Sequence, residues 1–291
     1  MKGRITILTV FLIGLETLCF GQNENVPALD INPNSHPISR FIISDETQEK
    51  GLKSVNDFEV YDDLIRKLEV IRGRKRSEKA FLRSIFYRVH KKLLINYSKQ
   101  ATMSETMATG NFGCLTGTAI YALVLSHFNY DYEIIELPNH VFIKMKLNGQ
   151  DLIVESTDPE SGLKSISKEL AQSMEQIGFD PRKLPMLTTV GEGSVDEWDL
   201  FEGHVKINLQ ELAGLQYFNE SVRYYIQEEY VKSMEMISAA YERYPSKRNE
   251  KLMQLVINKI LKYDQIKEEL KNKYLKQYIT RVKKQKISQT K

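Results

Sequence analysis

Cysteine is nearly absent from this sequence: two residues in 291, Cys19 and Cys114. Tryptophan occurs once, as Trp198, and histidine five times. Neither sign of charge dominates. The net charge of +3 is too small by itself to imply a nucleic-acid or membrane-surface partner. Biased composition is missing too, and 42% hydrophobic residues suffice for a packed core, which excludes wholesale disorder. The length implies one or two domains.

A long apolar run of membrane-spanning quality is also lacking. Met1-Lys2-Gly3-Arg4 is a short positive segment, Ile5 to Leu15 is apolar, and Glu16 ends the clean run. Phe20-Gly21-Gln22 allows cleavage after Gly21. Residues 1–21 read as a secretory signal peptide, too short and wrongly flanked for a stable span. An uncleaved anchor is the alternative. Glu16-Thr17-Leu18 before Cys19 is not the small-residue context of a lipidation site. The expected location is therefore periplasmic or secreted. Cleavage removes Cys19 and leaves Cys114 with no intramolecular partner. A lone exported thiol is a buried small hydrophobe, an intermolecular link or a nucleophile.

Residues 22–56 carry Pro27, Pro33 and Pro37 and read as an irregular lead-in. A mixed helix-and-strand domain is expected over 57–207. Tyr61, Leu64, Ile65, Leu68 and Ile71 share one helical face after the capping Asp57. After Ser77, a second stripe comprises Phe81, Leu82, Ile85, Phe86, Val89, Leu93 and Leu94. His90, beside Lys91 and Lys92, is expected at the surface. Tyr97 to Gly110 reads as a polar connection.

The run from Cys114 to Leu125 is apolar on most faces and closes at Asn129. It predicts a buried central helix. Gly110 and Gly113 precede it and suit a close approach of backbone to ligand. Cys114 opens the helix, where unpaired N–H groups and the positive dipole end favour a thiolate nucleophile. The alternative is simple core packing. His127, at the far end, is expected to complement the dipole.

Three strands follow: Tyr132–Leu137, His140–Leu147 and Gln150–Glu155. Asn148-Gly149 between the last two is a strong hairpin signal. A two-residue loop sets Leu147 opposite Gln150 and Lys146 opposite Asp151. Val141, Ile143, Met145 and Leu147 then share a core face with Leu152 and Val154. His140 and Glu155 fall on the other face as diagonal neighbours, roughly 7–8 Å apart at the backbone. Asp158 would face away, and Pro159 ends the strand. Either a catalytic pair or an ordinary exposed polar pair fits this pattern.

The stretch from Phe81 to Asp158 resembles the transglutaminase-like branch of the papain-type cysteine enzymes. The resemblance rests on Cys114 opening a buried helix, His140 on one strand, an acid on the next, and Phe142 two residues after the histidine. It implies an α+β fold, helices packed on an antiparallel sheet, with no cofactor and no metal. It also implies Cys114 as nucleophile, His140 as general base and Glu155 as orienting acid. Gly113, Phe142 and Trp198 are candidate substrate-binding residues; Trp198 alternatively covers the core. Two departures stand out. The acid is Glu in Glu155-Ser156-Thr157-Asp158-Pro159, where the family usually has Asp, and Leu115-Thr116-Gly117 is not polar-aromatic.

Ser165 to Gly178 suits an amphipathic helix, and Phe179 to Lys206 reads as loop. From 208 to 291 the chain is helical. Tyr217, Tyr224, Ser233, Ile237, Ala240 and Pro245 resemble one degenerate tetratricopeptide repeat. That region either caps the domain or binds a protein, since one such repeat is not stable alone. Helices are expected near Glu250–Tyr263 and Gln265–Val282. The cationic tail after Glu269 reads as a solvated terminus or a polyanion contact.

Two functions fit. One is an exported cysteine hydrolase, peptidase or amidase, acting on a protein or peptide with a reactive amide, or a transamidase of the same chemistry. The other is a non-catalytic binding module whose helical region engages a protein partner. Neither needs nucleic acid or a stable membrane span.

Overall fold

Apolar spacing decides where the helices form and which way they face. The computed structural model describes residues 36–43, 58–74, 77–165 and 205–289, with side-chain surroundings as far as 281. All belong to one compact unit within Ile31–Lys291. Helix α1 (Glu59–Arg74) buries Tyr61, Leu64, Ile65 and Leu68. Helix α2 (Glu78–Leu93) is capped by Ser77, whose hydroxyl accepts the Ala80 N–H, and buries its whole predicted stripe. Acidic residues in the first turn and basic ones in the last suit the dipole of both helices.

Between α2 and the central helix lie β1 (Asn96–Tyr97), α3 (Met103–Thr109) and β2 (Asn111–Phe112). β1 and β2 pair in parallel. The central helix α4 (Cys114–His127) is buried from Leu115 through Leu125, as its all-round apolarity demands. A five-stranded antiparallel sheet packs against it, comprising β3 (Tyr132–Leu137), β4 (His140–Leu147), β5 (Gln150–Val154), β6 (Leu163–Ser165) and β7 (Val205–Ile207). The strand order is β6-β5-β4-β3-β7.

The β4–β5 register is the one a two-residue loop imposes: Leu147 opposite Gln150, Lys146 opposite Asp151, Ile143 opposite Val154. Asn148 and Gly149 have φ of 51° and 78°, which a type I′ turn requires. Lys146 and Asp151 pair at 3.8 Å, but the lysine is 67% exposed and the pair contributes little. Val141, Ile143, Met145, Leu152 and Val154 join α4 in the main core. Ile135, Leu137 and Phe142, with Ile153 beside them, form a smaller apolar cluster. Thr118 Oγ1 ties α4 to β4 by donating to the Val141 carbonyl at 3.1 Å.

Four helices complete the described chain: α5 (Leu209–Ile226), α6 (Tyr230–Arg243), α7 (Lys247–Lys262) and α8 (Glu268–Gln289). A capping box starts α5. Asn208 Oδ1 accepts two backbone N–H groups, and Glu211 accepts the Asn208 N–H at 2.7 Å. The helices have their own apolar core, yet Leu212, Ala213 and Leu215 of α5 pack into the α4 core. Lys271 and Arg281 of the basic tail pair with Glu268 at 2.8 Å and Glu242 at 2.7 Å. The first pair lies within α8, and the second ties α8 to α6.

Several expectations need correction. The stretch read as an irregular lead-in holds a 3-10 turn, Pro37–Phe41. Ile38 and Phe41 are fully buried in the main core, and Ile43 in the helical core. Pro37, with its φ already near the helical value, starts the turn where proline also suits extended chain. The connection after Tyr97 holds α3, capped by the Thr102 hydroxyl and closed by Gly110 in the left-handed region, φ 78°.

His90 is also buried, at 7% exposure, rather than on the surface. It lies four residues after Phe86 and so continues the apolar stripe. Its ring packs on Phe86, Tyr121 and Phe112 at 4.9, 5.9 and 6.0 Å. Burial holds it below the usual histidine range, against the charges of Asp158 and Glu155. His127 meets Glu69 at 3.0 Å. Ser165 ends a strand, and the helix expected over the following residues, the signal segment 1–21 and Trp198 lie outside the described residues. Among the described residues no helix is long and apolar enough to cross a membrane.

Candidate active site

Three elements deliver the three polar residues. Cys114 is the first residue of α4 and is half-buried. His140 is the first residue of β4, and Glu155 directly follows β5. His140 Nε2 lies 2.6 Å from Glu155 Oε2, with the two side chains 8% and 17% exposed. The diagonal placement expected from the hairpin register thus becomes a direct hydrogen bond. Cys114 is the other polar group of the site near enough to act on the same ring, and with Glu155 it favours the charged imidazole.

Burial alone would drive the His140 ring neutral. Interactions of the charged ring with Cys114 and with the accepting Glu155 carboxylate outweigh that cost and push its pKa up to about 10. Glu155 moves the opposite way. Burial would raise it, but His140 and two bonds from Thr157 hold it below the usual carboxylate range. Thr157 donates its N–H at 2.9 Å and its hydroxyl at 2.7 Å to Glu155 Oε1. One carboxylate oxygen is therefore fixed by Thr157 and the other by His140.

These shifts define a pH window. The stabilisation from Glu155 is complete above its ordinary value of 4.5 and is lost as pH falls through its lowered one. The stabilisation from His140 is complete below 6.5 and is lost as pH rises through about 10. The Tm difference between the parent chain and Glu155→Gln should therefore be largest from pH 4.5 to 6.5. It should shrink on both sides, and a difference flat from pH 4 to pH 10 would contradict the charged pair.

Asp158, the alternative acid, does a different job. Its Oδ1 accepts the Ser161 N–H at 2.9 Å, and Oδ2 pairs with Lys164 at 3.0 Å. It braces the loop that returns the chain into β6. Gly162 closes that loop: the Glu155 N–H donates to its carbonyl at 2.8 Å, and its own N–H donates to Asp158 O at 2.8 Å. A Cβ on Gly162 would sit 2.1 Å from the Glu155 carbonyl oxygen. On the helix side, a Cβ on Gly117 would lie 2.6 Å from that of Ser156. Gly117 lets the chain after β5 settle on α4, and Ser156 donates to the Cys114 carbonyl at 3.4 Å.

Of the residues proposed as substrate contacts, Gly113 and Phe142 have local surroundings that account for them, and Trp198 lies outside the described residues. A Cβ on Gly113 would come within 2.9 Å of Lys99 O, so that glycine answers to the neighbouring backbone. Its N–H is spent on Thr116 Oγ1 at 3.0 Å. Gly110 answers to its left-handed turn and to Ile95. Phe142 is 2% exposed and lies beside the His140 ring at 6.3 Å, nearly parallel, so it offers no surface to a substrate.

Sequence reasoning missed Tyr97. It is 58% exposed, and its ring meets Phe112, two residues before Cys114, edge-on at 5.9 Å. Burial raises its hydroxyl pKa, and the Cys114 and Glu155 charges raise it further. Ile95, two residues earlier, is 53% exposed. An aromatic residue in a short run before the glycine loop was the available signal.

The first intrahelical bond of α4 runs from the Gly117 N–H to the Gly113 carbonyl at 2.9 Å. The N–H groups of Cys114, Leu115 and Thr116 precede it and have no carbonyl within the helix. They are the donors placed to meet negative charge developing beside the sulfur. Among the described residues no group of three His, Cys, Asp or Glu side chains is arranged to hold a metal ion. Chemically, the arrangement offers a cysteine sulfur, a buried ring that holds a proton near neutral pH and a carboxylate to hold that ring. No family model, curated protein or solved structure matches the chain.

Proposed function

We propose that the chain is an exported cysteine hydrolase, a peptidase or amidase built on a papain-type, transglutaminase-like core. The observation that carries this reading is His140, 8% exposed and bonded to Glu155 at 2.6 Å, with Cys114 near enough to favour its charged form. Nucleophile–base–orienter geometry is the arrangement that thiol-dependent acyl transfer needs.

In the proposed reaction Cys114 sulfur attacks the carbonyl carbon of an amide. His140, charged near neutral pH, already holds the proton that the sulfur gives up, and helix N–H groups steady the oxyanion. The C–N bond then breaks, the amine leaves with the proton from His140, and a thioester remains on Cys114. Water, deprotonated by His140, attacks the thioester, releases a carboxylic acid and restores the thiol. An amine in place of water gives transamidation with the same groups. Glu155 holds the ring and balances its charge throughout. Tyr97, exposed and near enough for the Cys114 charge to act on its hydroxyl, supplies an aromatic wall beside the nucleophile, suited to a peptide side chain.

The test is the alkylation rate of Cys114 by iodoacetamide near neutral pH. The parent chain should react faster than a simple free thiol, and His140→Ala should lose that advantage. A parent rate equal to the free thiol and indifferent to His140 would favour a non-catalytic binding module.

A further inference from the structure

β3 and β4 are joined by only two residues, Pro138 and Asn139. Leu137 pairs with His140, and Glu136 pairs with Val141. Anything that fixes this turn therefore fixes the first residue of β4, which is the histidine of the site. The turn is held from the helical region. Glu136 is 1% exposed, and its Oε2 accepts the Tyr244 hydroxyl at 2.7 Å. Arg248, near the start of α7, brings Nη1 to 3.1 Å from Glu136 Oε1, close enough for an ion pair though off the hydrogen-bonding direction. Its Nη2 donates to the Pro138 carbonyl at 3.2 Å, two residues before His140. The guanidinium also lies 5.5 Å from the Phe218 ring centre.

We propose that Arg248 is a positioning residue for His140: its two-pronged hold on Glu136 and Pro138 sets where β4 begins. The helical region is then a working part of the site. This rests on the cysteine-hydrolase reading. Geometry makes the role specific to arginine. A planar fork reaches a side-chain carboxylate and a backbone carbonyl at once, whereas a lysine ammonium is a point charge on a flexible stem. Lysine can keep the charge beside Glu136 but loses the second grip. The buried ion pair by itself would stabilise any fold. What singles out this one is the carbonyl it holds, inside a two-residue link to the catalytic ring.

A double-mutant cycle tests it on the full chain. Iodoacetamide labelling of Cys114 is timed in the parent, Arg248→Lys, His140→Ala and the combined variant. Arg248→Lys should slow labelling by about threefold or more, within the range for coupled neighbours, and should have little effect once His140 is gone. An unchanged rate in Arg248→Lys, or equal slowing with and without His140, would overturn the proposal.

Thermal unfolding shows whether Arg248→Lys stays folded. Should it not, Glu136→Gln with Arg248→Met leaves no buried unpaired charge, and the same outcomes decide. A parent rate that ignores His140→Ala defeats the hydrolase reading and this inference with it. A parent rate that depends on His140 but not on Arg248 defeats this inference alone.

Discussion

Replacing His140 by alanine should slow acylation of Cys114 by an activated ester about 10²- to 10⁴-fold, the usual contribution of a positioned acid–base group. The effect should be large because the ring has no substitute among the described residues. His90 also feels the Glu155 charge, yet burial holds its pKa low and its ring packs against Phe86, Tyr121 and Phe112. Stopped-flow measurement of p-nitrophenolate release gives the rate. Glu155→Gln should fall between the parent and His140→Ala. Glutamine can still receive a hydrogen bond from Nε2, but it cannot balance a charged ring. If His140→Ala acylates as fast as the parent, His140 is a structural residue and the proposed base is wrong.

Gly162→Ala should be the most damaging single substitution outside the three polar residues. Its new methyl would meet two backbone oxygens, 2.1 Å away at Glu155 and 2.4 Å away at Asp158. Backbone atoms cannot rotate aside as a side-chain tip can. The loop itself must open, which breaks the bond from the Glu155 N–H to the Gly162 carbonyl. The stability cost should reach the upper end of the roughly 1–3 kcal/mol seen for overpacking, or exceed it. The functional cost should be larger still, because Glu155 moves with the loop. A urea melt compared with the acylation rate separates the two. Full acylation by a destabilised variant would show that Glu155 tolerates loop movement.

The hairpin was legible in the sequence because its physics is local. Asn148-Gly149 admits one loop length, and a period of two then assigns every side chain from Val141 to Val154 to a face. That placed His140 and Glu155 together before any tertiary contact was known. The central helix was legible for a related reason: an all-apolar run longer than a strand has to be buried on every side. What escaped was non-local. Nothing near Arg248 in the chain points to a carbonyl 110 residues earlier.

His90 escaped because its charged neighbours outvoted its place on the stripe. Ile38 and Phe41 escaped because proline-rich chain reads as exposed until a core is found to receive it. Thr157 and Gly117 were visible in the sequence, but their use depends on a loop docking on a helix. The close approach expected at Gly110 and Gly113 is met by the chain itself, at Ile95 and at the Lys99 carbonyl.

Trapping the covalent intermediate tests the central claim most directly. The parent chain is mixed with p-nitrophenyl acetate, quenched in acid within the burst, and mapped by peptide mass spectrometry. The account predicts a burst of one p-nitrophenolate per chain, an acetyl group on Cys114, and neither in Cys114→Ala. A burst that survives Cys114→Ala, or acetylation confined to surface lysines, would contradict it.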